Sequence, residues 1–132
     1  MKKARSSNSA RYGRLAEQRA AEKYGLDLKG HHASWKDGIR QNGDPVEIKA
    51  AIRKRANGSE GRFRIFEDPH EQLTRNDGWY VFVAYTPRGN GIEVDAIRAT
   101  RSRTIRLTSD QFVEAGGHRD SRQIRIPISR IF

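Results

Sequence analysis

The chain has no cysteine among its 132 residues, which excludes disulfide scaffolds, thiolate zinc sites and a cysteine nucleophile. No apolar run approaches the roughly 20 residues that a membrane-spanning helix needs. The basic start, MKKAR, is not followed by the apolar core of a signal peptide. Nor does any helix-period stretch pair a broad apolar face with a basic one, as an interfacial helix would. These absences lead us to expect an intracellular, cytoplasmic protein without membrane contacts. Acidic residues are scarce as well, with 16 Asp and Glu against 26 Lys and Arg, a formal net charge of +10 and a pI near 10.5. A surface of that sign attracts polyanions, and nucleic acid is the first partner to consider. Aromatic residues, at 8%, and clear strand-like runs separate the chain from disordered basic tails. Its length suits one domain that buries about two-thirds of its unfolded surface.

Residues 1–8 are polar and basic and read as a flexible N-terminus, with a single domain over 9–132. From Ser9, a plausible N-cap, Tyr12, Leu15, Ala16, Ala20 and Tyr24 recur at helical spacing and Gly25 supplies a stop, which predicts a helix over about residues 10–24. Residues 34–41 and 45–52 read as two strands joined by the hairpin signal Asn42-Gly43. A basic loop over 53–61 leads into a third strand at 62–66. Pro69 fits the first turn of a second helix reaching about Asn76, with Asp68 near its N-cap. The run WYVFVAY, residues 79–85, is continuously apolar and predicts a central buried strand, with Tyr80 and Phe82 in the core. Alternation of Ile92, Val94 and Ala96 against Glu93 and Asp95 predicts another strand over 92–99. Residues 109–115 predict a short helix ended by Gly116-Gly117. Ile124, Ile126 and Ile128 alternate as an edge strand, since Pro127 cannot donate to a ladder. The sum is an α/β (α+β) domain around a mixed sheet.

The informative residues are polar ones inside the second strand. Glu47 and Lys49 stand two apart, so they emerge side by side from one face. Antiparallel pairing across the hairpin brings Asp37 within one or two rungs of them. Two carboxylates converging from neighbouring strands repel unless a cation lies between, and a hard ion such as Mg²⁺ accepts one or two carboxylates plus water. An ammonium at Lys49 can then stabilise charge on a phosphodiester transition state or orient the attacking water. Glu17 is the candidate third acid, on a helix face kept small by Gly13, Ala20 and Ala21. The plainer alternatives are a solvated ion pair for Glu47 and Lys49, and a helix-surface pairing with Arg14 for Glu17.

In the order Gly13-x-x-Ala16-Glu17, Asp37, Glu47-Ile48-Lys49, the chain resembles the PD-(D/E)XK nuclease superfamily, and within it the archaeal Holliday-junction-resolvase-like endonucleases. The resemblance covers about residues 10–100 and leaves 101–132 as a C-terminal extension. It implies a restriction-endonuclease-like core, a mixed sheet flanked by helices in the order αβββαβ. It further implies a metal-dependent DNA endonuclease, with Asp37 and Glu47 as direct ligands of Mg²⁺ (Mn²⁺ as a substitute) and the Ile48 carbonyl as an added oxygen. Lys49 would assist the water, and Glu17 would act through metal-bound water. Ser34 matches a Ser that precedes the Asp in the resolvases and joins the catalytic candidates, while Lys36 stands where the name-giving Pro would be. Cleavage of junctions implies nucleoid association and a homodimer, because two symmetrical cuts need two sites; residues 124–128 or the face of 92–99 are the candidate interfaces. No small-molecule cofactor is implied.

Arg53, Lys54, Arg55, Arg62 and Arg64 are the candidate nucleic-acid-binding residues, with Arg101, Arg103 and Arg106 as a further basic cluster. Trp35 fits either base stacking or packing on the first helix. His31 and His32, His70-Glu71 and His118-Arg119-Asp120 read as solvated loop residues, none having the spacing of a zinc site. Rival readings are a non-catalytic nucleic-acid-binding module on the same fold, a restriction- or repair-type nuclease, and a basic structural protein of a ribonucleoprotein.

Overall fold

A computed structural model describes residues 2–115 and 121–132, with side chains from residue 10 onward. Helix α1 spans Lys2–Tyr24 and so begins well before the expected residue 10. No proline or glycine interrupts residues 2–12, so nothing local stops the backbone from turning helical upstream of Ser9. The stretch 1–8, expected to be flexible, therefore contains helical backbone from Lys2. Ala16 and Ala20, both 0% exposed, let α1 lie close on a sheet face made of Val46, Ile48, Val81 and Val83. Gly25, at φ +63°, ends the helix.

That sheet has four strands in the order β1 (Gly38–Ile39), β2 (Pro45–Ile52), β4 (Trp79–Arg88), β5 (Gly91–Arg101). It is mixed: β1 and β2 are antiparallel, β2 and β4 parallel, β4 and β5 antiparallel. Asn42-Gly43 makes the expected turn, with Gly43 at φ +93° and the Arg40 amide bonded to the Asp44 carbonyl at 2.9 Å. The first strand, however, is two residues long rather than 34–41. Ala33 and Lys36 pair with each other in a tight turn, so the chain joins the ladder only after Asp37. β4 is covered on both faces, which accounts for its unbroken apolar run. Val81 and Val83 face α1; Tyr80, Phe82 and Ala84 face the opposite layer.

The opposite layer differs from expectation in its pairing. β3 (Arg62–Phe66) leaves the main sheet and forms a separate two-stranded antiparallel sheet with β6 (Gln123–Pro127). Burial explains this: Phe63, Ile65 and Ile126 are at most 1% exposed and cover Tyr80 and Phe82, whereas a strand continuing the sheet edge would leave that face open to water. Helix α2 (Glu67–Arg75) seats Leu73 and His70 in the same core. It starts before Pro69, with Phe66 at its N-cap and Asp68 in its first turn, where a proline costs no hydrogen bond and an acid suits the helix dipole. The helix expected over 109–115 is only a 3₁₀ turn, Ser109–Gln111, because Phe112 turns extended to bury its ring; Gly116, Gly117 and the 118–120 triplet lie outside the described residues. A short helix α3 (Ile128–Ile131) closes the chain. Ile126 and Ile128 are buried in this chain's own core, which removes the 124–128 segment as a dimer surface.

Gly61 sits where the β2–β3 connection folds back: a Cβ there would lie 1.9 Å from the Ile52 carbonyl oxygen, a backbone atom that cannot step aside. Gly61→Ala should lower stability by about 2 kcal/mol or more in urea denaturation. Gly13→Ala, in α1 with nothing within 4 Å, should raise it by about 0.5–1 kcal/mol.

Candidate active site

β2 carries the site because one strand separates two kinds of surface. Val46 and Ile48 turn toward α1, while Glu47 and Lys49 lie beside Tyr80 and Phe82, their partners in the parallel register. The Lys49 ammonium is 3.4 Å from Glu47 Oε2, and the two side chains are only 21% and 14% exposed, so this pair is not a solvated surface bridge.

Asp37 lies one residue before β1 and is fixed from two directions. Its amide donates to the Val46 carbonyl at 2.8 Å, and its Oδ2 accepts the Ile48 amide at 2.7 Å. Its carboxyl also lies close enough to that of Glu47 to raise it. Burial, first, and then this contact push the Glu47 carboxyl up to about 8, against the pull of Lys49. Glu17 is raised too, by burial first and by the charge of Asp37 second, with His32 and Arg14 opposing. The fold therefore brings Glu17, Asp37, Glu47 and Lys49 into one electrostatic neighbourhood. Ser34 is exposed on the 33–36 turn with no side-chain hydrogen bond among the described residues.

Two histidines expected to be solvated belong to this region. His32 Nε2 stands 3.7 Å from Asp37 Oδ1, although its side chain is 74% exposed. His70 is buried, bonds through Nδ1 to the Tyr80 hydroxyl at 2.8 Å and stacks on that ring; burial holds its pKa below the usual value. Tyr80 in turn feels Glu47: its hydroxyl is raised by burial first and by the Glu47 charge second. Trp35 packs on the Phe63–Tyr80 core rather than on α1. No sequence spacing signals the His70–Tyr80 contact, since residues 70 and 80 sit on a helix and a strand that meet only in the folded chain.

Among the described residues no group of three or more His, Cys, Asp or Glu side chains is gathered to hold a metal ion. What is present is an open pair, Asp37 and Glu47, with Asp37 adding to the burial that raises the Glu47 carboxyl. The Ile48 carbonyl points to the same side of β2 as its amide, toward Asp37. Two carboxylates and a carbonyl suit a hard divalent ion that keeps several waters, and not a closed cage.

Of the basic candidates, Arg53 is drawn to Asp95 at 3.7 Å, and Lys54 pairs through its backbone with Glu60 in the connecting turn. Arg55, Arg62 and Arg64 line a groove of about 630 Å³ that opens from Lys49. Arg125 lines it too and was missed in the sequence, although alternation with Ile124 and Ile126 already puts it on their opposite face.

The raised Glu47 carboxyl has a stability consequence. A proton held to about pH 8 in the folded chain leaves at an ordinary carboxylate pH in the unfolded one. Its contribution is thus fully present at low pH and is lost as pH rises through about 8. Without divalent ions, wild type should lose stability relative to Glu47→Gln between about pH 5 and pH 9, by more than about 1 kcal/mol. Parallel denaturation midpoints across that range would show that Glu47 ionises normally.

No curated protein matches the chain. The sequence model of the PD-(D/E)XK nuclease superfamily domain matches residues 2–132, extending through the segment 101–132 and including the β6 strand that covers the core. With its mixed four-stranded sheet flanked by helices, and an acidic-x-Lys on the strand next to Asp37, the chain belongs to the PD-(D/E)XK nuclease superfamily.

Proposed function

We propose that this protein is a divalent-metal-dependent endonuclease that hydrolyses phosphodiester bonds in DNA, with four-way junctions the substrate to test first. The observation that carries the reading is the crowding of Asp37 against Glu47 beside the Lys49 ammonium, which lines a groove with no acidic residue among the described ones. Asp37 and Glu47, with the Ile48 carbonyl, would hold Mg²⁺ or Mn²⁺. The bound ion would supply positive charge to an attacking water and to the phosphoryl oxygens.

The chain's own residues do the rest. Lys49, half enclosed and held by Glu47, presents an ammonium to the non-bridging oxygens as negative charge builds on them. Its tether to a carboxylate fixes its position before substrate arrives, so little reorganisation is needed in the transition state. Glu17, which burial and Asp37 make a weaker acid than usual, is suited to accept a proton from the water side. Tyr80, hydrogen-bonded to the buried His70, lies beside Glu47 and limits its contact with water. A junction substrate goes with a homodimer, for which the exposed face of residues 92–99 in β5 is the remaining candidate surface.

A second reading, a binding module without turnover, draws on the lack of a three-ligand group among the described residues. Cleavage of a four-way junction and its matching linear duplex, at low salt with Mg²⁺ or Mn²⁺, separates the readings. Wild type should nick in a metal-dependent way, and Asp37→Asn, Glu47→Gln and Lys49→Ala should each lose about a hundredfold or more. Paired nicks confined to the junction support the resolvase specificity, and equal cutting of both substrates replaces it with a repair- or restriction-type one. Binding without cutting in every form would select the binding module.

A further inference from the structure

Among the described residues, β1 pairs with Pro45 and Val46, and beyond the Ile48 amide taken by Asp37 no strand of the main sheet pairs with that edge of β2. The Ala50 amide, two residues on, points the same way, and Ala50 is exposed. β3 starts against this edge at Gly61 and then diverges to join β6, so a wedge opens between β2 and the second sheet. Among the described residues its lining includes Lys49, Arg55, Arg62, Arg64 and Arg125 and not one Asp or Glu.

The arrangement of these side chains is unfavourable without an anion. Phe63, Ile65 and Ile126 turn into the core, which forces Arg62, Arg64 and Arg125 onto the other face, all exposed. Arg64 and Arg125 are direct cross-strand partners, with Cβ atoms therefore about 5 Å apart. Like charges directly opposite destabilise a two-stranded sheet. Arg88, Arg103 and Arg122 are held by Glu93, Asp77 and Glu67, whereas Arg62, Arg64 and Arg125 have no carboxylate in ion-pair reach among the described residues. A phosphate between two guanidinium forks relieves the repulsion and takes bidentate bonds from each.

We propose that the Arg64–Arg125 pair, with Arg62, is a phosphate clamp that holds a nucleic-acid backbone in the wedge along the bare edge of β2 and leads it to Lys49. This deepens the nuclease reading and rests on it for the identity of the polyanion. The contacts offered are guanidiniums and a backbone amide, so the clamp positions the strand without reading its bases.

The test is equilibrium binding of labelled duplexes of two unrelated sequences, in chelator, across a salt series. Arg64→Ala and Arg125→Ala should each weaken binding about tenfold, equally for both sequences, and lower the slope of log K against log salt by about 1. Arg19→Ala, on α1 at the opposite face of the sheet, should leave both unchanged, and unchanged melting temperatures would show that the variants are folded. Slopes like wild type, losses matched by Arg19→Ala, or losses that depend on sequence overturn the clamp. So does competition by polyglutamate as strong as that of DNA at equal charge. Failure here with metal-dependent cleavage intact removes the clamp and keeps the nuclease. Absence of cleavage with the salt slopes shifted as expected keeps the clamp and removes the nuclease.

Discussion

The parallel register between β2 and β4 sets the position of nearly everything else. Val46 to Ile52 pair in step with Trp79 to Tyr85, and that pairing puts Glu47 against Tyr80 and Lys49 against Phe82. The neighbours are aromatic and buried, so the carboxylate and the ammonium lose most of their water on one side while staying open on the other. The same register sends Val46 and Ile48 to the opposite face, where Ala16 and Ala20 of α1 meet them. A slip of one residue would exchange the two sets and leave a charge pair under the helix.

Holding two carboxylates in such a place is costly, and the structure shows how the cost is met. The Asp37 carboxylate accepts the Ile48 amide, while its own amide is locked to Val46. Glu47 is pushed toward its protonated form by burial first and by Asp37 second. In the proposed reading, a cation held by both carboxylates would compete with that proton. Behind Glu47, Tyr80 and His70 satisfy each other through their own hydrogen bond.

The bare edge of β2 is the second consequence of the topology. An exposed strand edge is a template for unwanted pairing, and surrounding it with arginine is a common way of preventing this. Here those arginines sit on a separate small sheet, anchored by Phe63, Ile65 and Ile126, so their positions follow from core packing rather than from a loop. The same burial that pulled β3 away from the main sheet opened the groove and aligned its basic wall.

Much of this was legible in the chain itself. The helix of Tyr12 to Tyr24, the Asn42-Gly43 hairpin, the buried run of residues 79–85 and the spacing of Asp37, Glu47 and Lys49 follow from periodicity and turn chemistry, which act over a few residues. What the sequence could not decide was partner choice. That β3 pairs with β6, that Arg125 stands opposite Arg64, that His70 lies behind Tyr80 and that His32 reaches Asp37 all join residues tens of positions apart or across a loop. Local pattern tells each segment which face is apolar. Only the competition among all such faces for the same buried surface determines which segment covers which, and that competition is settled in three dimensions.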